Sequence, residues 1–168
     1  MSWLAKVLKY TPAKDREGIA LQPEDIMWEV SPTRNLSIFL RCLPDLMPAQ
    51  SILYLEGHLD EAQANLLEPY QATRITKVAV GTIWPRPRWY HFPITPEIMD
   101  RLGAFAETAD GPEIVNHLHA YKDQSVLLAW NDAFDLPAFI ARGISEEKVR
   151  NFCAKVGVQF KRVSDKDL

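Results

Sequence analysis

Beyond residue 35 the apolar residues alternate between two spacings, and this alternation restricts the possible folds more than any other feature. Short runs rich in aliphatic and aromatic residues are typical of strands, whereas i, i+3, i+4, i+7 spacing is typical of amphipathic helices. Pairs of such runs are followed by a helix three times over. This order predicts an α+β fold: an antiparallel or mixed sheet built from strand pairs, with three to four helices packed mainly on one face.

Local signals divide this pattern into elements. Asp60, Thr95 and Ser145 are suitable N-cap residues for three helices, because their side chains can accept a hydrogen bond from a free N–H of the first turn. Gly157 offers a stop for the last helix, and 123–124 is a two-residue turn between two strands. The predicted strands are 36–43, 51–56, 76–84, 88–92, 117–122, 125–131 and 138–141.

The chain has 168 residues, a length that favours one α+β domain over 1–168. Within it, we expect 1–35 to be an irregular arm, with a short helix around Leu4, Val7 and Leu8, docked on the body through Trp28. Lysines interrupt the apolar residues of the first nine positions, so we expect no signal peptide and a cytoplasmic location.

Charge and composition disfavour several classes of partner. Nineteen basic against twenty-two acidic residues give a formal charge of −3, whereas nucleic-acid binders usually carry a basic excess. We therefore expect no nucleic-acid partner. We also expect no membrane partner, because no apolar run approaches the roughly 18 residues that a spanning helix needs. A Gly-rich phosphate loop and a nucleophile elbow are both missing from the sequence, so no cofactor is predicted.

His117 and His119 form the first candidate site. Residues two apart on a strand point the same way, and neutral imidazoles are good ligands for zinc or iron. His91, Asp132 or the Glu56–His58 pair would supply a third ligand. The alternative is packing within a hairpin. There, a two-residue turn places His119 opposite Leu128, and a shift of one residue places it opposite Ala129.

The second candidate is the segment Trp84–Phe92, which combines aromatic rings, arginines and prolines. Arginine and tryptophan are enriched at the energetic centres of protein interfaces, and prolines keep such a loop stiff. Alternation along 88–92 also fits a core strand that follows a Pro-rich turn. The residues that we expect to contact a partner are Trp84, Arg86, Arg88 and Trp89.

Two functions follow from these candidates. The first is a non-enzymatic domain that binds a protein partner or a small ligand through the second candidate, with an oligomeric state that the sequence does not define. The second is a metal-binding protein or metal-assisted hydrolase that uses His117 and His119, completed by His91 or Asp132. A structure separates them by showing whether these side chains meet.

Overall fold

A computed structural model describes residues 17–79, 81–82, 87–108 and 115–163. Its centre is a seven-stranded antiparallel sheet. The strands are β1 (Ile26–Val30), β2 (Ile52–Gly57), β3 (Arg88–Pro93), β4 (His117–Lys122), β5 (Ser125–Trp130), β6 (Ala138–Ala141) and β7 (Phe160–Arg162). They are ordered β3-β2-β4-β5-β6-β1-β7, so β3 and β7 form the two edges.

The described residues contain four α-helices, which confirms the predicted α+β fold. They are α1 (Leu36–Leu46), α2 (Glu61–Leu67), α3 (Pro96–Thr108) and α4 (Glu146–Val156); 3₁₀ turns occupy Pro23–Asp25 and Glu68–Tyr70. Buried apolar residues from all four helices join one hydrophobic cluster with one face of the sheet. Its members include Phe39, Leu43, Leu67, Met99, Leu102 and Phe152 from the helices and Leu53, Leu118, Leu128 and Trp130 from the sheet.

The three predicted helix starts are confirmed. Asp60 Oδ1 accepts from the Gln63 N–H at 2.8 Å, and the Gln63 side chain accepts in return from the Asp60 N–H at 2.9 Å. Thr95 caps α3 and Ser145 caps α4 through the same kind of bond. Gly157 ends α4 with a φ of 79°, a left-handed conformation that glycine adopts without steric cost.

The predicted strand over 36–43 is wrong, because this run is helix α1. Asn35 Oδ1 accepts from the Ile38 N–H at 3.1 Å and caps the helix. The buried residues recur at helical spacing and face α3 and α4. The run carries the helical spacing in its sequence, since Leu36, Phe39, Leu40 and Leu43 stand at i, i+3, i+4 and i+7, and the Asn35 cap adds a helix start.

The 117–122 and 125–130 strands pair as the predicted hairpin, but no single register holds along it. Next to the turn, Tyr121 pairs with Val126, as a two-residue turn requires. A β-bulge between Ala120 and Tyr121 then shifts the pairing by one residue, so His119 lies opposite Ala129. The bulge therefore joins the two registers that the sequence left open.

The N-terminal segment differs from the irregular arm that we expected. Ile26–Val30 form β1, which lies inside the sheet between β6 and β7. Trp28 is buried, and its Nε1–H donates to the Ile144 carbonyl at 3.0 Å. The helix predicted around residues 4–8 lies outside the described residues.

The strand predicted over 76–84 falls partly outside the described residues, at 80 and 83–84. In the described part only one parallel bridge forms, between Ile19 and Val78. Strand β3 pairs with β2 instead. The described residues 76–79 and 81–82 lie against the sheet face opposite the helices, and we call them the strap.

Candidate functional site

The sheet face opposite the helices carries a layer of polar side chains, which we call the polar face. It consists of Tyr54 and Glu56 from β2, His91 from β3, and His117, His119 and Tyr121 from β4, all of them buried. Cross-strand pairing aligns His91, Tyr54 and His119 in one row, with Glu56 beside His117 in the next. Three of the four predicted metal ligands thus lie in the layer.

Glu56 is fully buried, and donors surround both of its carboxylate oxygens. Oε2 accepts from the Tyr54 hydroxyl at 2.8 Å and from the Gly81 N–H at 3.0 Å. Oε1 accepts from the Thr82 N–H at 2.6 Å and lies 4.0 Å from His117 Nε2. One side chain of the sheet therefore binds the end of the strap through two backbone amides.

The pKa of Glu56 lies below its ordinary value. Burial by itself raises this pKa. Its effect is outweighed by four interactions that lower the pKa: the hydrogen bonds from Thr82 and Gly81, the attraction of His117 and the hydrogen bond from Tyr54. Burial raises the pKa of Tyr54, so its phenol remains a donor. At neutral pH the carboxylate is charged and hydrogen-bonded.

The ring of His117 is fixed by its two neighbours. Nδ1 accepts from the Asp132 N–H at 3.1 Å, so the neutral ring carries its proton on Nε2, the atom that faces Glu56. Gly81 lies directly against this ring. A Cβ at Gly81 would stand 2.6 Å from His117 Cδ2, closer than real contacts allow.

His91 and His119 are held neutral by burial, which lowers the pKa of each to about 4. Tyr121 accepts from the Thr76 N–H at 3.1 Å, and the same hydroxyl shares a hydrogen bond of 2.9 Å with His91 Nδ1. His119 Nε2 lies 3.1 Å from Asn131 Oδ1, an acceptor, and so donates to it. Among the described residues, His119 Nδ1 and the Thr82 hydroxyl are buried without a hydrogen-bond partner.

The hydrogen bonds of the histidines can be compared with what a metal ion would need from them. A metal ion binds the unprotonated ring nitrogen of histidine, and in His117 that nitrogen already accepts a protein hydrogen bond. Asp132 contributes its backbone N–H to the layer and is otherwise exposed, and His58 is exposed beyond the end of β2. Over the described ranges, no three His, Cys, Asp or Glu side chains are placed to hold one metal ion.

Arg88 and Trp89, from the second candidate, lie at the start of edge strand β3 and are exposed. The exposed fraction of Trp89 is 48%, whereas Trp28 and Trp130 are buried. Tyr90 and Phe92 point into the helix-side core, as the core-strand alternative required. Trp84 and Arg86 lie outside the described residues, so their placement is not known.

Sequence reasoning missed Tyr54, Tyr121 and the two strap amides of Gly81 and Thr82. For the tyrosines a signal existed: Tyr54 precedes Glu56 by two residues, and Tyr121 follows His119 by two, so each pair shares a face. For the strap there was none, because its donors are backbone groups of a segment without regular structure.

Comparisons do not add a family to this description. No protein-family model, curated protein or solved structure matches the chain. None of the helices in the described ranges combines the length and apolarity that crossing a membrane requires. The functional argument therefore rests on the geometry above.

Proposed function

We propose that this chain is a non-enzymatic interaction domain that binds a protein partner through the surface formed by Arg88 and Trp89. The observation that carries the proposal is the exposed indole of Trp89 on an edge strand of the sheet. Tryptophan and arginine are the residues most enriched among those that dominate binding energy in protein interfaces.

Trp89 and Arg88 can both contribute to the free energy of binding a protein partner. Covering the open part of the indole removes about 100 Å² of mainly apolar surface, which contributes about 2 kcal/mol to binding. Arg88 adds a guanidinium that forms no ion pair within the described ranges. Arg88 therefore does not have to break an existing ion pair before its guanidinium binds a carboxylate of the partner.

The polar face supports this surface from behind. Trp89 pairs with Glu56 across β2 and β3, and His91, two residues further along β3, is fixed by Tyr121. Because these neighbours are buried and hydrogen-bonded, the backbone of β3 is fixed before a partner arrives. Preorganisation of this kind lowers the entropy lost on binding.

Site-specific photocrosslinking tests the proposal. A photoreactive phenylalanine analogue is placed at position 89 and, in a control chain, at Leu66, which is 65% exposed on α2. We expect position 89 to give a discrete crosslinked product in cells, and we expect Arg88→Ala to reduce its yield. The same product from position 66, or a yield independent of Arg88, would show that the surface is wrongly assigned.

A further inference from the structure

The outer edge of β3 has a defined hydrogen-bonding pattern. The His91 carbonyl accepts from the Ala72 N–H at 2.7 Å, on the side away from β2. At the end of β3, the Ile94 N–H donates to the Ser51 carbonyl at 2.9 Å, on the β2 side. Backbone groups of successive strand residues alternate in direction. The backbone N–H and C=O groups of the odd-numbered residues of β3 are therefore directed away from β2, towards the open edge.

Trp89 is the residue at which this edge is open. Its N–H and C=O point outward, and in the described part of the chain no backbone group bonds them. Further along, Ala72 occupies the His91 carbonyl, and Pro93 has no N–H to offer. The accessible stretch is thus short and centred on one residue, which limits non-specific pairing with other strands.

The side chains on either side of this opening differ in chemistry. Tyr90 and Phe92 belong to the helix-side core, so Arg88 projects from that side of the sheet, whereas Trp89 projects from the side of His91. A strand added here would meet a cation on one face and an indole on the other.

We propose that the partner contributes an extended segment that adds antiparallel to β3 opposite Trp89. Its carboxylate side chains lie on the Arg88 side, and its apolar side chains lie against the indole. This inference rests on the proposed function and deepens it. One partner residue exchanges two backbone hydrogen bonds with Trp89, and charge complementarity to Arg88 selects an acidic segment.

A labelled hexapeptide of alternating valine and glutamate tests the mode of binding, because it presents valine to one face and carboxylates to the other. We expect it to bind the whole chain, as measured by fluorescence polarisation. An otherwise identical valine–lysine peptide should bind about tenfold more weakly. A valine–glutamate peptide with N-methylated backbone amides keeps its side chains but cannot pair with Trp89, and we expect it not to bind.

Charge reversal supplies the matched variant. Arg88→Glu should reverse the preference, so that the lysine peptide binds more tightly than the glutamate peptide, with the fold confirmed by circular dichroism. Equal binding of the N-methylated peptide, or an unchanged preference in Arg88→Glu, would overturn the proposal. The proposal would also be overturned if sedimentation showed that the chain is a dimer and that Trp89→Pro dissociates this dimer, because a second copy of the chain would then occupy the edge.

The two proposals fail in different ways. If no peptide binds but crosslinking at position 89 still depends on Arg88, strand addition is wrong and the interaction surface stands. If crosslinking at position 89 fails as well, the proposed function is wrong.

Discussion

Glu56 shows how one buried side chain can replace strand pairing. A buried charge is costly unless it is fully hydrogen-bonded, and this carboxylate receives one hydroxyl and two backbone N–H donors. The donors from Gly81 and Thr82 would otherwise need partners of their own, because the strap forms no regular strand there. The carboxylate and the strap thus stabilise each other.

Glu56→Gln tests this dependence. The amide supplies one acceptor and one donor group, so an N–H group must face Tyr54, Gly81 or Thr82, where an acceptor is needed. We expect a loss of about 3 kcal/mol in the free energy of unfolding, measured by urea denaturation. Glu24→Gln, at an exposed position, is the control and should change stability by less than about 0.5 kcal/mol. Equal effects would contradict the assigned role.

The buried imidazoles predict how stability depends on pH. An unperturbed imidazole has a pKa of 6.5, and burial lowers those of His91 and His119 to about 4. Between these values the unfolded chain binds protons that the folded chain does not, so stability falls as the pH falls. The lowered pKa of Glu56 extends this loss below pH 4.5.

We expect the free energy of unfolding to decrease by about 6 kcal/mol between pH 7 and pH 4, with about 3 kcal/mol from each imidazole. In His119→Phe the decrease should be smaller, because one buried titrating group is gone. Urea denaturation at several pH values measures both curves. A wild-type curve that is flat from pH 7 to pH 5 would mean that these rings are not held neutral.

At the level of elements, local signals predicted what local chemistry decides. The caps at Asp60, Thr95 and Ser145 and the 117–130 hairpin follow from residues within a few positions of each other. Helix α1 was misread although Leu36, Phe39, Leu40 and Leu43 have helical spacing and Asn35 is a suitable cap, because its aliphatic and aromatic composition is also typical of strands. Strand β7 was missed because Phe160–Arg162 is short and mostly exposed, and its partner β1 lies about 130 positions away.

Part of the candidate site also follows from local sequence, and part depends on the order of the strands. Period-two spacing placed His117 and His119 on one face, since that relation needs only the strand itself. Their meeting with His91 and Glu56 depends on β2 lying between β3 and β4. Strand order of this kind is set by the packing of the whole sheet, and no local pattern in the sequence encodes it.

The contact between strap and sheet gives a prediction for these two elements. Gly81→Ala would place a methyl group 2.6 Å from the His117 ring, so the strap or the ring must move. We expect a loss of about 1–3 kcal/mol in the free energy of unfolding. Gly143→Ala is the matched control, because its Cβ would meet nothing within 4 Å. If both variants unfold at the same urea concentration, the strap does not pack against His117 as described.

For the whole molecule, the sheet separates two environments. One face is covered by helices and forms the larger hydrophobic cluster. The other combines the polar face with a smaller cluster that includes Leu21, Val78 and Phe139. Both faces are occupied, so among the described strands the edges remain for contact with other molecules. Edge strand β3 carries the exposed indole, which is why we place binding there.

Partner capture and stability should therefore separate in one double variant. Arg88→Ala with Trp89→Ala is compared with the wild type and with Leu66→Ala, by partner capture and by thermal unfolding. We expect the double variant to lose at least about tenfold in capture while its Tm shifts by only a few degrees, because both side chains are exposed. Leu66→Ala should retain capture. Undiminished capture by the double variant would show that the partner binds elsewhere on the molecule.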